Sequence, residues 1–521
     1  MSGGHVARRW PRVDRFLFVI AGGTILSRLA LAWAGVPLNL SAVGPKGADH
    51  YWQLLDPSWL RHDLVPSVWS LTMQPPLYNL AVGAWLHLPV GWQAPVAALS
   101  LTACFLAIAL ASYATMVLLG VHRVVALVAT LVLVVANPGQ ALFTTVPFYA
   151  EPTAALVTLT AWLAVRCVRR PTVGSSAAFA ALAATAALVN TSVQPIVVLG
   201  LVAVLLVACR GAWRPIALGA LVPCLVLVGW SGLQWSRVGT PATSTWLGMN
   251  LTHVTFNHAP HRQLHQLIAD GKISRIALLS PFAPLSAYGV APVRVGPPAS
   301  ASARRPDGTA NFNNRAYAEV SRRYLHDELA FVAADPGHVA TMVSRGLRLW
   351  TIPEDQYFLF FGVTQVQPWE NAYDNIVMLQ GIRNPFNPLA ELANEAAPVH
   401  QLSVTLMVAT ALCVLGTPTV IVSCRRRRRS LAVAMALPWL LFTQAFVVTS
   451  LSEFGENERF RFETGTTLLT LSLVVVTFAV DRLRGRWRPG GLDRRLDDLG
   501  WTAQDATPVA AAATSLEPLR P

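Results

Sequence analysis

Apolar residues in this chain do not alternate with polar ones; they fall in long runs parted by short polar clusters. Such runs stand at 16–34, 94–118, 124–137, 149–165, 177–189, 196–208, 215–234, 402–422, 431–450 and 465–480. The longer ones reach the roughly 17–25 residues that a helix needs to cross the bilayer core. Between 236 and 401 the pattern changes to mixed charge, aromatics and proline. Helical spacing reappears there near 314–334, where Asp335-Pro336 ends the run, and again over 338–350. The pattern predicts an all-α polytopic membrane protein of about ten transmembrane helices with a mixed extracytoplasmic domain.

Charge orients the runs. Arginines cluster at Arg8, Arg9, Arg12 and Arg15; at Arg166, Arg169 and Arg170; at Arg210 and Arg214; at Arg425 to Arg429; and at Arg482, Arg484, Arg486 and Arg488. Fixing these clusters inside, by the positive-inside rule, gives a consistent path with both termini inside. The segment 76–90 is apolar too, but counting it as a span would put Arg166, Arg169 and Arg170 outside. It reads instead as a helix lying in the outer interface, started by Pro75-Pro76. The organisation expected is a cytoplasmic N-terminus (1–15), a first membrane module (16–235) with an outer loop at 39–93, an extracytoplasmic domain (236–401), C-terminal transmembrane helices (402–481) and a disordered cytoplasmic tail (482–521). The run at 16–34 after a basic start reads as a retained signal anchor in the plasma (inner) membrane.

Composition narrows the function classes. Charged residues make up only 13%, half the usual soluble share of about 25%, which excludes an ordinary soluble domain. The net charge of +13 invites a nucleic-acid partner, but the arginines sit between spans and report topology. None of the six cysteines falls in an expected outer loop, so no disulfide framework is implied.

Candidate chemistry gathers on the outer side. Directly after the first span stand Asp49, His50, Tyr51 and Trp52, followed by His62, Asp63, Gln74 and Tyr78. A carboxylate among aromatics suits a general base that takes a proton from a hydroxyl, while solvated loop charge is the plainer reading. Glu151 opens the fourth span, where the helix dipole alone favours an acid, and where it can also face Asp49 across the bundle mouth. Arg459 and Arg461 lie outside, against the positive-inside trend, in a polar loop at 451–463. They either hold a phosphate or pair with Glu453, Glu456 or Glu458. Arg28 lies in the first span, roughly 10 Å below its outer end, placed to snorkel or to help hold the same phosphate. The run His253, His258, His261 and His265 lacks the tight grouping of a zinc site.

Asp49 after the first span, Gln74-Pro75-Pro76-Leu77-Tyr78, Tyr149-Ala150-Glu151-Pro152 and Glu456-Asn457-Glu458-Arg459-Phe460-Arg461-Phe462 before the last span occur in an order that resembles the GT-C superfamily of membrane glycosyltransferases. That superfamily includes protein O-mannosyltransferases, aminoarabinose transferases and actinobacterial envelope mannosyl- and arabinosyltransferases. The resemblance covers most of 16–480 except the middle segment. It implies a GT-C-like fold, a polyprenyl-phosphate sugar donor, an inverting displacement with Asp49 as base, and an envelope glycan, glycolipid or protein as acceptor. On that resemblance His50, Tyr51, Trp52, His62, Asp63, Gln74, Tyr78 and Glu151 would line the substrate site, and Arg28, Arg459 and Arg461 would hold the phosphate. Where many members carry a second acid beside the first, this chain has His50, which favours a metal-free mechanism without a cofactor over one using a divalent ion. Two other readings stay open: a transporter or flippase of a lipid-linked sugar, and a non-catalytic glycan-binding envelope protein.

Overall fold

The computed structural model describes residues 14–40, 53–360, 363–380, 402–426 and 428–485, and from the tail 495–497, 499 and 501. Asp14 caps the first helix, α1 (Arg15–Trp33), and also reaches Arg123 (3.7 Å) and the Tyr113 hydroxyl (2.8 Å). Three short helices follow: α2 (Pro57–His62), α3 (Leu64–Trp69) and α4 (Pro76–Leu86). At 11 residues α4 is about 16 Å long, too short to cross a bilayer. Then come α5 (Val90–Leu118), α6 (Arg123–Thr130) running into a wide helical turn (Leu131–Val135), α7 (Pro138–Phe143), α8 (Ala150–Arg169), α9 (Val173–Val189), α10 (Pro195–Ala208) and α11 (Trp213–Val238).

The middle segment carries α12 (Leu247–Leu251), α13 (His261–Ala269), α14 (Pro298–Ala301), α15 (Tyr317–Ala334), α16 (Pro336–Leu349) and α17 (Gln367–Ile376). Asp335 separates α15 from α16 by capping the second, accepting from the His338 amide at 2.9 Å with Pro336 at the first helical position. The segment read from sequence as mixed is helical and irregular, with one isolated bridge (Arg304 to Ala310) and no strand among the described residues. The chain returns through α18 (Val404–Ala411), a wide turn (Leu412–Gly416), α19 (Thr417–Cys424), α20 (Arg429–Ser452) and α21 (Asn457–Gly485).

Among the described residues six helical stretches are long and apolar enough to cross a membrane: Arg15–Trp33, Val90–Leu118, Arg210–Val238, Val404–Cys424, Arg429–Ser452 and Asn457–Arg484. Arg123–Val135, Val173–Val189 and Pro195–Ala208 are shorter apolar helices. The centre is α8, which packs on α5, α9, α20 and α21. Wrapped by other helices, it tolerates Thr153, Thr158 and Thr160, whose hydroxyl-bearing side chains are all buried. By contrast α1 and α11 leave Phe18, Leu26, Leu218 and Val222 exposed, as a lipid-facing surface requires. Helix α9 lies close against α11, because a Cβ on Gly219 would come within 2.4 Å of the Val173 carbonyl oxygen.

Candidate functional site

The polar loop expected at 451–463 is mostly helix. Only 453–456 interrupt α20 and α21, so Glu458, Arg459, Arg461 and Glu463 stand on the first two turns of the last helix. Three of these charged residues, Arg459, Arg461 and Glu463, meet polar partners here, while one oxygen of Glu458 is buried without a hydrogen bond. Arg459 pairs with Glu456, lies 3.9 Å from Glu463, donates to the Tyr149 hydroxyl, and packs over the rings of Phe460 (4.1 Å) and Tyr149 (5.3 Å). Glu463 accepts from the Asn190 amide at 2.7 Å. Arg461 points to another face of the helix, meeting Glu354 at 2.7 Å and the Ile352 carbonyl at 2.5 Å. Next to Arg461 in the chain, Phe462 stacks on Phe143 at 3.9 Å.

Glu354 is delivered by a short turn that lies on α7. The approach needs a glycine: a Cβ on Gly139 would meet the Glu354 Cβ at 2.6 Å. Asn137 caps α7 and also reaches the second Glu354 oxygen, at 3.5 Å. One turn on, Gln140 donates to Glu151 at 2.8 Å, while the other oxygen of Glu151 is buried without a partner. Tyr78 joins from α4, its hydroxyl donating to the Pro147 carbonyl at 2.9 Å and its ring edge-on to Tyr149 at 5.5 Å. Three motifs far apart in sequence, around Tyr78, Glu151 and Arg459, therefore meet at one end of the bundle.

Carboxylates outnumber guanidiniums here. Glu354, Glu456, Glu458 and Glu463 surround Arg459 and Arg461, and both arginines are almost fully buried. A phosphate reaching either would compete with a carboxylate already in place. Beyond Glu354 lie Asp355, Glu370 and Asp374. Burial, and after it the charges of Asp374, Glu370 and Glu354, raises the Asp355 carboxyl well above the usual range. Burial and then the Asp374 charge push Glu370 up to about 7. Among the described residues no group of three His, Cys, Asp or Glu side chains is arranged to hold a metal ion. His253 faces Glu453 at 2.5 Å, and His258 packs on Phe454.

Of the residues singled out from sequence, Asp49, His50, Tyr51 and Trp52 lie outside the described residues. His62 and Asp63 are exposed where α2 meets α3, with His62 Nδ1 2.8 Å from the Ser58 carbonyl. Gln74 is half-buried just before α4. Arg28 is half-buried on α1, which packs on α5, α6 and α7. Tyr78, Glu151, Arg459 and Arg461 belong to the converging cluster. Sequence reasoning missed Asn190, Gln140 and above all Glu354. The last had a signal, two adjacent acids in a stretch of aromatics, Trp350 to Phe361.

Compared with known proteins, the chain matches no family model, no curated protein and no solved structure. What the fold defines is a class, a protein helical throughout its described residues, with six helices among them able to cross a membrane and a buried ionic cluster at one end.

Proposed function

We propose that this is a membrane glycosyltransferase that moves a sugar, mannose or arabinofuranose, from a polyprenyl-phosphate donor to an envelope glycan, glycolipid or protein at the outer face of the plasma membrane. The observation that carries the reading is the meeting of the Tyr78, Glu151 and Arg459 motifs at one end of the bundle. The order of those motifs resembles the GT-C superfamily, and their meeting gives that order a spatial meaning. The same end receives His253 and Glu354 of the middle segment, the extracytoplasmic domain in this reading. With the three shorter apolar helices and α8 counted as crossings, the bundle spans the membrane about ten times.

In the mechanism that fits best, the acceptor hydroxyl loses its proton to Asp49 and its oxygen attacks the anomeric carbon. The bond from that carbon to the phosphate oxygen breaks, and the polyprenyl phosphate leaves with inverted configuration at the sugar. Orientation of two substrates at the mouth supplies much of the rate. Glu151 and Tyr78 line the acceptor side. The buried oxygens of Glu151 and Glu463 also fit a transporter of lipid-linked sugar, since ionisable groups inside a bundle mark transport paths too.

The test uses protein in nanodiscs with radiolabelled polyprenyl-phosphate mannose and polyprenyl-phosphate arabinofuranose, plus envelope acceptor fragments. Asp49→Asn should cut transfer by roughly 100-fold or more while donor binding persists, the usual scale for a lost general base. Undiminished transfer in the variant would remove Asp49 as base. No transfer by the wild type, together with flipping of the donor in liposomes, would favour the transporter.

A further inference from the structure

Three helices of the central bundle bring small residues to one point, each as a pair spaced three apart. Ser112 and Thr115 stand on α5, Thr158 and Ala161 on α8, and Thr467 and Thr470 on α21. Residues three apart share a helix face, so both members of each pair look the same way. Together with Pro438 of α20 they line a cavity, and all five hydroxyl-bearing residues are buried. Thr467 stands about 15 Å along α21 from its start, at 1.5 Å per residue. The cavity therefore lies within the spanning part of the bundle, well away from the charges that open that helix.

Most of the hydroxyl protons here are spent. Ser112 donates to the Ile108 carbonyl, Thr115 to the Ala111 carbonyl and Thr158 to the Ala154 carbonyl, each at 2.7 Å. With the Thr158 proton committed, the Thr466 hydroxyl is the donor in its 2.6 Å bond to Thr158. Hydroxyls bonded in this way still carry a lone pair that can accept. Thr467 is different, because its Oγ1 is buried with no hydrogen-bond partner. A hydroxyl left so is costly in an apolar interior. Pro438 has no N–H to give the Ala434 carbonyl, so the ladder of α20 is also one bond short beside the cavity. About 10 Å³ is open to the centre of a water molecule, close to what one water needs. Polar cavities of this size take up water, whereas apolar ones stay dry.

We propose that this cavity is a binding site for one water molecule, which accepts the Thr467 proton and donates to the hydroxyl oxygens of α5 and α8. A water so placed ties α21 to both helices in a part of the bundle where no charged side chain lines the cavity. The lack of a carboxylate there also selects a neutral ligand over a cation, which needs anionic oxygens to offset its dehydration. The inference stands apart from the transferase reading, since it requires only the packed helices.

Two measurements test it. A cryo-electron microscopy map of the protein in nanodiscs, at a resolution of about 2 Å, should show a solvent peak roughly 2.7–3.0 Å from Thr467 Oγ1. The second is the melting temperature of Thr467→Val, a change of almost no volume. If a water is bound, the substitution removes its donor and melting should fall by about 1–3 °C, the scale of one buried hydrogen bond in a long chain. If the cavity is dry, the same substitution removes an unmet hydroxyl and melting should rise. A raised or unchanged melting temperature would overturn the site, as would an empty cavity in a map that resolves waters elsewhere in the protein. Melting that rises with sodium chloride but not with choline chloride, and no longer does so in Thr467→Val, would replace the water by a cation.

Discussion

A guanidinium with no exposed surface is stable only where oxygen acceptors reach it, and Arg461 meets that need at both terminal nitrogens. Glu354 and the Ile352 carbonyl receive its two terminal nitrogens. Removing one partner of such a pair strands the other, which costs about 3–5 kcal/mol. Arg461→Ala should therefore lower stability by about that amount in denaturation followed in detergent, and adding Glu354→Gln should restore a large part of it. Equal losses in the single and double variants would mean that the pair is not the source. From sequence Arg459 and Arg461 stood out as basic residues on the wrong side of the membrane. Glu456, one of the acids named as a possible partner, does pair with Arg459, but Glu354 and Tyr149 are brought in by tertiary packing that no local pattern encodes. The proposed base was legible as a carboxylate among aromatics, but Asp49 lies outside the described residues.

At the scale of elements, hydrophobic runs located the helices well, since a crossing helix must be apolar along its length. The start of α21 was misread for the same reason: a run of charges looked like a loop. Those charges continue the helix because buried partners replace water. The turn 453–456, all that is left of the expected loop, is held to the middle segment by His253 and Glu453. Burial of the imidazole works against its protonation, but the Glu453 carboxylate prevails and raises the His253 pKa above its ordinary value. The contribution to stability is then full below the ordinary histidine value of about 6.5 and is lost as pH rises through the raised value. Glu370 acts in the same direction. Its folded-state pKa is raised to about 7, so the native state keeps a proton that the unfolded chain has lost, and stability falls as pH rises through that window. Melting in detergent should therefore move to lower temperature from about pH 5.5 towards neutral and above, and His253→Gln with Glu370→Gln should flatten the trend. A profile unchanged by the substitutions would place the titrating groups elsewhere.

For the molecule as a whole, part of the segment expected to be an unstructured tail closes the arginine-rich end. Trp501 is buried, its indole donating to the Leu118 carbonyl at 2.7 Å, one of the orphan acceptors at the end of α5. Arg428 pairs with Asp497 at 2.7 Å and donates to the Trp501 carbonyl, and Arg169 lies over the Trp501 ring at 5.5 Å. The arginines that report topology thus also seat the chain's last described residue. Trp501→Ala should cost about 3–5 kcal/mol, as for other buried aromatics, read as a lower melting temperature in detergent. A variant as stable as wild type would show that the tail rests on the bundle without supporting it. Composition pointed to disorder because the tail is rich in Gly, Pro, Ala and charge; two tryptophans, Trp487 and Trp501, among such residues gave no periodicity to read.

The charged opening of α21 also bears on how the protein is made. An arginine or acid at the centre of a lone helix costs roughly 2.5–3.5 kcal/mol on entering the bilayer, less near its ends, and this helix brings four such residues together in its first turns. The partners of three of them, Tyr149 for Arg459, Asn190 for Glu463 and Glu354 for Arg461, all precede them in the chain. Synthesis from the N-terminus therefore has the receptor in place before the last helix leaves the ribosome. Biogenesis becomes a docking step, in which α21 enters the membrane against finished protein rather than against lipid.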